Sequence, residues 1–195
     1  MPSAMIVGIT GASGAIYGIR LLDALAELGV ARHLIMTRAA EITLAHETDF
    51  KVKDIHERAD VVYRPEDIAA GPASGSFPTL GMIVAPCSVS TLSEIAAGIT
   101  ENLLTRAADV TLKERRRLVL MVRETPLHLG HLRAMTAATE IGAIIAPPLP
   151  AFYHRPQSIE DIVDHTVGRT LDLFGLNTGK LKRWGKDVGP LPPGE

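Results

Sequence analysis

Five consecutive apolar residues, Leu118-Val119-Leu120-Met121-Val122, run straight into Arg123-Glu124-Thr125-Pro126. An unbroken apolar run of this length reads as a strand buried on both faces, which requires a parallel sheet covered by helices. Comparable short runs recur at residues 5–9, 33–36, 82–85 and 143–146. The segments between them have helical spacing. Ile16, Ile19, Leu22, Leu25 and Leu28 follow that period, and Gly29 stands where such a helix would stop. Further helices are predicted near residues 39–45, 90–97, 102–114 and 127–140. Ser158 is placed to N-cap another, with Val163, Val167, Leu171 and Phe174 as its apolar stripe. Strands alternating with helices predict right-handed crossovers and a three-layer α/β/α fold around a parallel sheet, flavodoxin-like or Rossmann-like.

A chain of 195 residues can build one domain with a full core, expected over residues 1–185. Residues 186–195 are rich in Pro and Gly and are expected to be a flexible tail. With 20 basic and 22 acidic residues, the net charge of -2 creates no field suited to nucleic acid or an acidic membrane. No apolar run approaches a membrane span. The first residues lack a basic segment leading into a signal-like apolar stretch, so the expected location is cytoplasmic. Cys87 is the single cysteine, which excludes an internal disulfide and a multi-cysteine zinc site. No lysine or arginine adjoins it, so it reads as a packing residue.

In open parallel sheets ligands sit outside the carboxyl ends of the strands. The polar residues at those ends are therefore the candidates. After the first strand comes Gly8-x-x-Gly11-Ala12-Ser13-Gly14. It is either a tight strand-to-helix turn or a phosphate site at a helix N-terminus. The spacing is not that of the dinucleotide fingerprint. Thr37 ends the second strand, and Ser88-Val89-Ser90-Thr91 opens the helix after the third. Singly, each hydroxyl reads as an N-cap. Together, three hydroxyl-rich turns converge on one crevice that suits a phosphate plus a polyol, as in a flavin mononucleotide.

Arg106 and Lys113 lie seven apart and share a helix face. Glu114-Arg115-Arg116-Arg117 ends that helix, where the arginines read as a solvated face. Arg169 lies off its helix's apolar stripe, facing solvent, a pocket or a subunit contact. Residues 147–156, Pro-Pro-Leu-Pro-Ala-Phe-Tyr-His-Arg-Pro, form a stiff loop that either walls a ligand site with Phe152 and Tyr153 or simply connects elements. His128-x-x-His131 lacks partners for a metal site. Glu160-Asp161-Ile-Val-Asp164 is similar to an aspartate-rich magnesium motif of prenyl synthases, but it sits where acidic residues favour a helix start.

The following segments together resemble the UbiX/Pad1 flavin prenyltransferases over nearly the whole chain: Thr10-Gly11-Ala12-Ser13-Gly14, His46-Glu47-Thr48-Asp49, Ala73-Ser74-Gly75-Ser76, Pro86-Cys87-Ser88, Arg106-Ala-Ala-Asp109 with Leu112-Lys113-Glu114-Arg115, Arg123-Glu124-Thr125-Pro126, Phe152-Tyr153-His154-Arg155-Pro156-Gln157-Ser158 and Arg183-Trp184. The resemblance implies transfer of a dimethylallyl group from dimethylallyl monophosphate to N5 and C6 of reduced FMN, without a metal. The product, prenylated FMN, would serve a UbiD-type decarboxylase. A homododecamer with sites at subunit contacts is implied as well.

By the same resemblance, Gly11, Ala12, Ser13, Thr37, Ser88, Val89, Ser90, Thr91 and Arg123 would hold FMN. Lys113, Glu124, Tyr153 and Arg169 would hold the prenyl phosphate, with Arg106 from a neighbouring subunit. Ser13 and Glu47 would assist proton movement near the flavin, and Lys113 and Glu124 would act on the departing phosphate. Ile68 stands where some relatives have a tryptophan beside the prenyl group. Two rivals differ in class. A phosphopantothenoylcysteine-type decarboxylase needs a Pro-Ala-Ser-Ala-Asn-type segment, from which Pro72-Ala73-Ser74-Gly75-Ser76 departs. A non-enzymatic flavin carrier would need no second phosphate site.

Overall fold

The apolar runs form one sheet of six parallel strands in a computed structural model that describes residues 4–190. The strands are β1 (Ala4–Ile9), β2 (Ala31–Met36), β3 (Val61–Tyr63), β4 (Gly81–Cys87), β5 (Arg117–Val122) and β6 (Ile144–Ile145). The helices are α1 (Ala15–Glu27), α2 (Arg38–Glu47), α3 (Val52–His56), α4 (Val89–Ala96), α5 (Leu103–Lys113), α6 (Leu129–Glu140) and α7 (Ile159–Asp172). The spatial order is β3-β2-β1-β4-β5-β6. The chain lays down strands outward from β1 in one direction, then returns to β4 and builds outward in the other. This reversal puts a crevice between the carboxyl ends of β1 and β4.

Alternate residues along each strand point to opposite faces, so a doubly covered strand must be apolar at every position. On one face Met5, Val7, Ile83, Val119 and Met121 pack with Leu21, Leu22 and Leu25 of α1 and Val163, Val167 and Leu171 of α7. On the other, Ile6, Met82, Val84, Leu118 and Leu120 pack with Leu92 of α4, Leu103 and Leu104 of α5 and Ala138 of α6. Each fully buried large aliphatic side chain contributes roughly 1.5–3 kcal/mol. A charge introduced at Leu120, in the middle of β5, would break the core on the face of α4, α5 and α6.

The three-layer arrangement agrees with the sequence reading, while several details differ. β3 was not anticipated. It has three residues, lies at the sheet edge and pairs only with β2, so Val61-Val62-Tyr63 gives too short a pattern to read. The strand expected over 143–146 is limited to Ile144 and Ile145, with the Ala146 amide still bonded to the Leu120 carbonyl at 2.9 Å. Arg116 and Arg117 are not simply solvated: Arg116 donates to the carbonyls of Phe77 and Gly75, both at 2.8 Å, and Arg117 lies over the Phe174 ring. These arginines tie the start of β5 to neighbouring loops. The acidic run after Ser158 is a helix start. The Ser158 hydroxyl accepts from Asp161 N at 3.1 Å, and Asp161 accepts in return from the Ser158 and Gln157 amides. His128 caps α6, its Nδ1 accepting from the Gly130 and His131 amides. Of the tail expected at 186–195, residues up to Val188 close a turn in which Trp184 bridges Val188, while 191–195 lie outside the described residues.

Candidate active site

Thr10 closes the base of the β1–β4 crevice. Its buried hydroxyl donates to the Pro86 carbonyl at 2.8 Å and accepts from the Ser88 amide at 2.8 Å. The turn after β1 is thereby fixed against the turn after β4. Gly11 lies so close to α2 that a Cβ there would meet Ala39 Cβ at 2.6 Å. Gly14 adopts φ 101, the left-handed region that an L side chain enters only with strain.

No side chain of its own caps α1 at Gly14. Glu47, the last residue of α2, does so from outside. Its Oε2 accepts from the Gly14 amide at 2.8 Å and the Ala15 amide at 3.0 Å. A carboxylate is favoured there by the free amides and the helix dipole. Partial burial pushes the Glu47 carboxyl up. The Ser13 hydroxyl, the Ala15 and Gly14 amides and the positive charge of Arg123 outweigh it, holding the group below its ordinary value. Glu47, Ser13 and Arg123 thus share one electrostatic neighbourhood although they come from α2, the first turn and the end of β5.

Thr37 and Ser88 both act as N-caps. The Thr37 hydroxyl accepts from the Ala40 amide at 3.2 Å. The Ser88 hydroxyl accepts from the Thr91 amide at 3.3 Å and donates to Thr91 Oγ1 at 3.1 Å. The Ser90 hydroxyl turns along α4 to Glu94 at 3.2 Å. Capping does not exhaust Thr37, which keeps its hydrogen as a donor. Both helices begin at strand ends beside the switch point, so their N-termini border the crevice. Arg123 follows β5, its amide bonded to the Cys87 carbonyl at 3.0 Å. Glu124 follows, its Oε1 accepting from the Thr125 amide at 3.0 Å. Cys87 is fully buried in the core, and burial pushes its thiol well above the ordinary range, which fits packing.

The remaining candidates stand elsewhere. Lys113 ends α5 ahead of β5, whereas Glu124 lies beyond the far end of that strand. Six residues of strand at about 3.3 Å each separate them by roughly 20 Å. Lys113 pairs with Glu114, and Arg106 pairs with Asp109 at 2.7 Å. Tyr153 and Arg169 do come together, lining a cavity of about 290 Å³ beside Ala146 and Pro147 at the end of β6. Arg169 also holds Asp172 at 2.9 Å. One chain therefore carries three groups: the crevice, the α5 cations, and the Tyr153–Arg169 cavity. Among the described residues, no hydrogen bond or ion pair joins these three groups to one another. Ile68 is 61% exposed, in the loop after β3. Thr10 was read only as part of a motif with no role of its own, and His165, which bonds Tyr153, was not singled out. A hydroxyl placed directly after an apolar strand was the available signal for Thr10.

A family model described as Flavoprotein matches residues 2–171. The chain is 60% identical over 183 residues to the flavin prenyltransferase UbiX of Escherichia coli K12, covering 92% of this chain and 97% of that one. It superposes with TM-score 0.93 and 50% identity on the crystal structure of AnUbiX (PadA1) in complex with FMN and dimethylallyl pyrophosphate, covering 94% of this chain and 98% of that one. A dodecameric FMN-dependent UbiX-like decarboxylase from Escherichia coli O157:H7 gives TM-score 0.90 and 48% identity, with 93% and 98% covered.

Proposed function

The chain belongs to the UbiX flavin prenyltransferases of the Flavoprotein family, and on that premise we propose that it transfers a dimethylallyl group from dimethylallyl monophosphate to N5 and C6 of reduced FMN. The observation that carries this reading is the β1–β4 switch point, bordered by the N-termini of α2 and α4, which Thr37 and Ser88 cap, with Arg123 tied through its amide to Cys87 at the end of β4. A phosphate dianion suits that setting, because helix N-termini offer unpaired amides and a favourable dipole. The N-terminus of α1 is already taken by Glu47, so α2 and α4 are the ends left for the FMN phosphate. Gly11, Ala12, Ser13, Val89, Ser90 and Thr91 complete the FMN contacts.

When bound, reduced FMN supplies the nucleophilic N5 and C6 positions. The chain's own residues bind, orient and move protons. Glu47, held as a carboxylate by the α1 amides and the charge of Arg123, is placed with Ser13 to relay a proton near the flavin. Arg106, Lys113 and Arg169 supply cations for the donor phosphate, and fixed positive charge stabilises a leaving dianion as it develops. Tyr153 and Glu124 complete that site, with Glu124 and Lys113 next to the departing group. Side-chain cations suffice for a monophosphate, so no metal is required.

Because Lys113 and Glu124 flank opposite ends of β5, a phosphate held by both is shared between chains. We accordingly place the α5 cations in a neighbouring subunit of a homododecamer. Residues 1–185 act as one domain of that assembly. No described helix is long and apolar enough to cross a membrane. The prenylated FMN passes to a UbiD-type decarboxylase in the cytoplasm.

Kinetics with dimethylallyl monophosphate and diphosphate, followed by NMR of the product flavin, test the donor and the bonds formed. A higher kcat/KM for the monophosphate and new bonds at N5 and C6 are expected. Preference for the diphosphate, or attachment elsewhere, contradicts the proposal.

A further inference from the structure

Tyr153 is held by a partner that the reading so far does not use. Its phenol oxygen lies 3.0 Å from Nε2 of His165. His165 sits on α7 one turn before Arg169, so the two share a helix face, and both line the 290 Å³ cavity with Tyr153. The His165 ring is buried and stacked on His154, with centroids 4.2 Å apart and planes at 11°. Tyr153 packs edge-on against both imidazoles and against Trp184, at 80–85°. The phenol is thus fixed in plane by three rings and in direction by one hydrogen bond.

We propose that His165 is a positioning residue, whose Nε2 holds the Tyr153 phenol so that its hydrogen points, beside Arg169, at the phosphate of the prenyl donor. The proposal rests on the reading that Tyr153 and Arg169 bind that phosphate. A phenol has one hydrogen. If Nε2 accepted it, Tyr153 would offer an anion only lone pairs. With the hydrogen on Nε2, the phenol oxygen accepts, and its own hydrogen stays available for a phosphate oxygen. Burial, then the charges of His154 and Arg169, hold His165 below its ordinary value against the opposing pull of Asp172. The ring is therefore neutral near pH 7, with one hydrogen to place.

The test uses the full-length protein with reduced FMN, comparing His165→Gln, His165→Asn, Tyr153→Phe and the double variant His165→Asn/Tyr153→Phe. Glutamine can place an amide hydrogen near the Nε2 position, whereas the shorter asparagine cannot reach the phenol. His165→Asn should lower kcat/KM for the donor about tenfold, as expected for one lost charge-assisted contact. FMN affinity should be unchanged, and His165→Gln should recover most of the loss. The double variant should be no worse than Tyr153→Phe alone, because both changes remove the same contact. Equal losses in the glutamine and asparagine variants, additive effects in the double variant, or normal donor kinetics in His165→Asn beside an impaired Tyr153→Phe would each overturn the positioning role. Normal donor kinetics in Tyr153→Phe would instead overturn the underlying assignment of Tyr153.

Discussion

The Thr10 hydroxyl and the Ser88 amide meet at 2.8 Å, joining the loops after β1 and β4 at the point where the strand order reverses. The same hydroxyl donates to the Pro86 carbonyl, so one buried side chain satisfies two backbone groups at the end of β4. Buried polar groups left without partners cost about 1–3 kcal/mol each. Thr10→Val keeps the shape and removes both bonds. It should lower the thermal midpoint and weaken FMN binding, while Thr10→Ser should retain both. Calorimetry and an FMN titration on the three proteins check this. Wild-type FMN affinity in a folded Thr10→Val protein would contradict it.

Glu47 caps the helix that begins directly at the end of the candidate flavin turn. Its carboxyl is held below the ordinary value, so its stabilisation is complete above the unfolded-state pKa of about 4.3 and is lost as pH falls through the lower folded value. Glu47→Ala should cost about 0.5–1 kcal/mol near pH 7, the lower part of the range for N-caps because the carboxylate is exposed. The difference from wild type should shrink below pH ~4. Urea unfolding across that range measures it, and a gap that widens in acid would have the wrong sign.

Much of this was legible before the structure. β1, β4 and β5 are covered on both faces, so their apolar runs were unbroken and easy to place. β3 escaped because an edge strand of three residues has neither length nor full burial. The crevice residues were legible because hydroxyls and glycines at strand ends carry a local backbone role. The capping of α1 by Glu47 was not, since it joins residues 32 and 33 apart in the chain. The separation of Lys113 from Glu124 was hidden for a related reason: spacing along a chain does not say which end of a strand a residue occupies.

That separation makes subunit complementation a sharp test. Lys113→Ala and Glu124→Ala should each be inactive alone. Mixed oligomers, formed by co-expression, should regain activity, because some sites then draw Lys113 and Glu124 from different intact chains. Mixed oligomers that remain as inactive as the single variants would place both residues in one chain's site.

Arg169 should act on the donor and not on FMN. Its removal spares the fold, because Asp172 keeps Arg183 through contacts at 2.8 and 2.9 Å. Charge-assisted bonds to phosphate contribute roughly 1.5–3 kcal/mol, so Arg169→Ala should weaken donor use by about 10- to 100-fold. Donor kinetics and FMN titration on the same variant decide this. An FMN loss as large as the donor effect would show the assignment to be wrong.

The central claim is prenyl transfer to reduced FMN by this chain's own side chains. Mass spectrometry of the flavin, after anaerobic incubation with reduced FMN and dimethylallyl monophosphate in excess EDTA, tests it most directly. The account predicts a flavin heavier by one dimethylallyl unit. Unmodified flavin recovered from folded protein, with or without EDTA, would contradict the transfer, and modification only when magnesium is restored would contradict its metal independence.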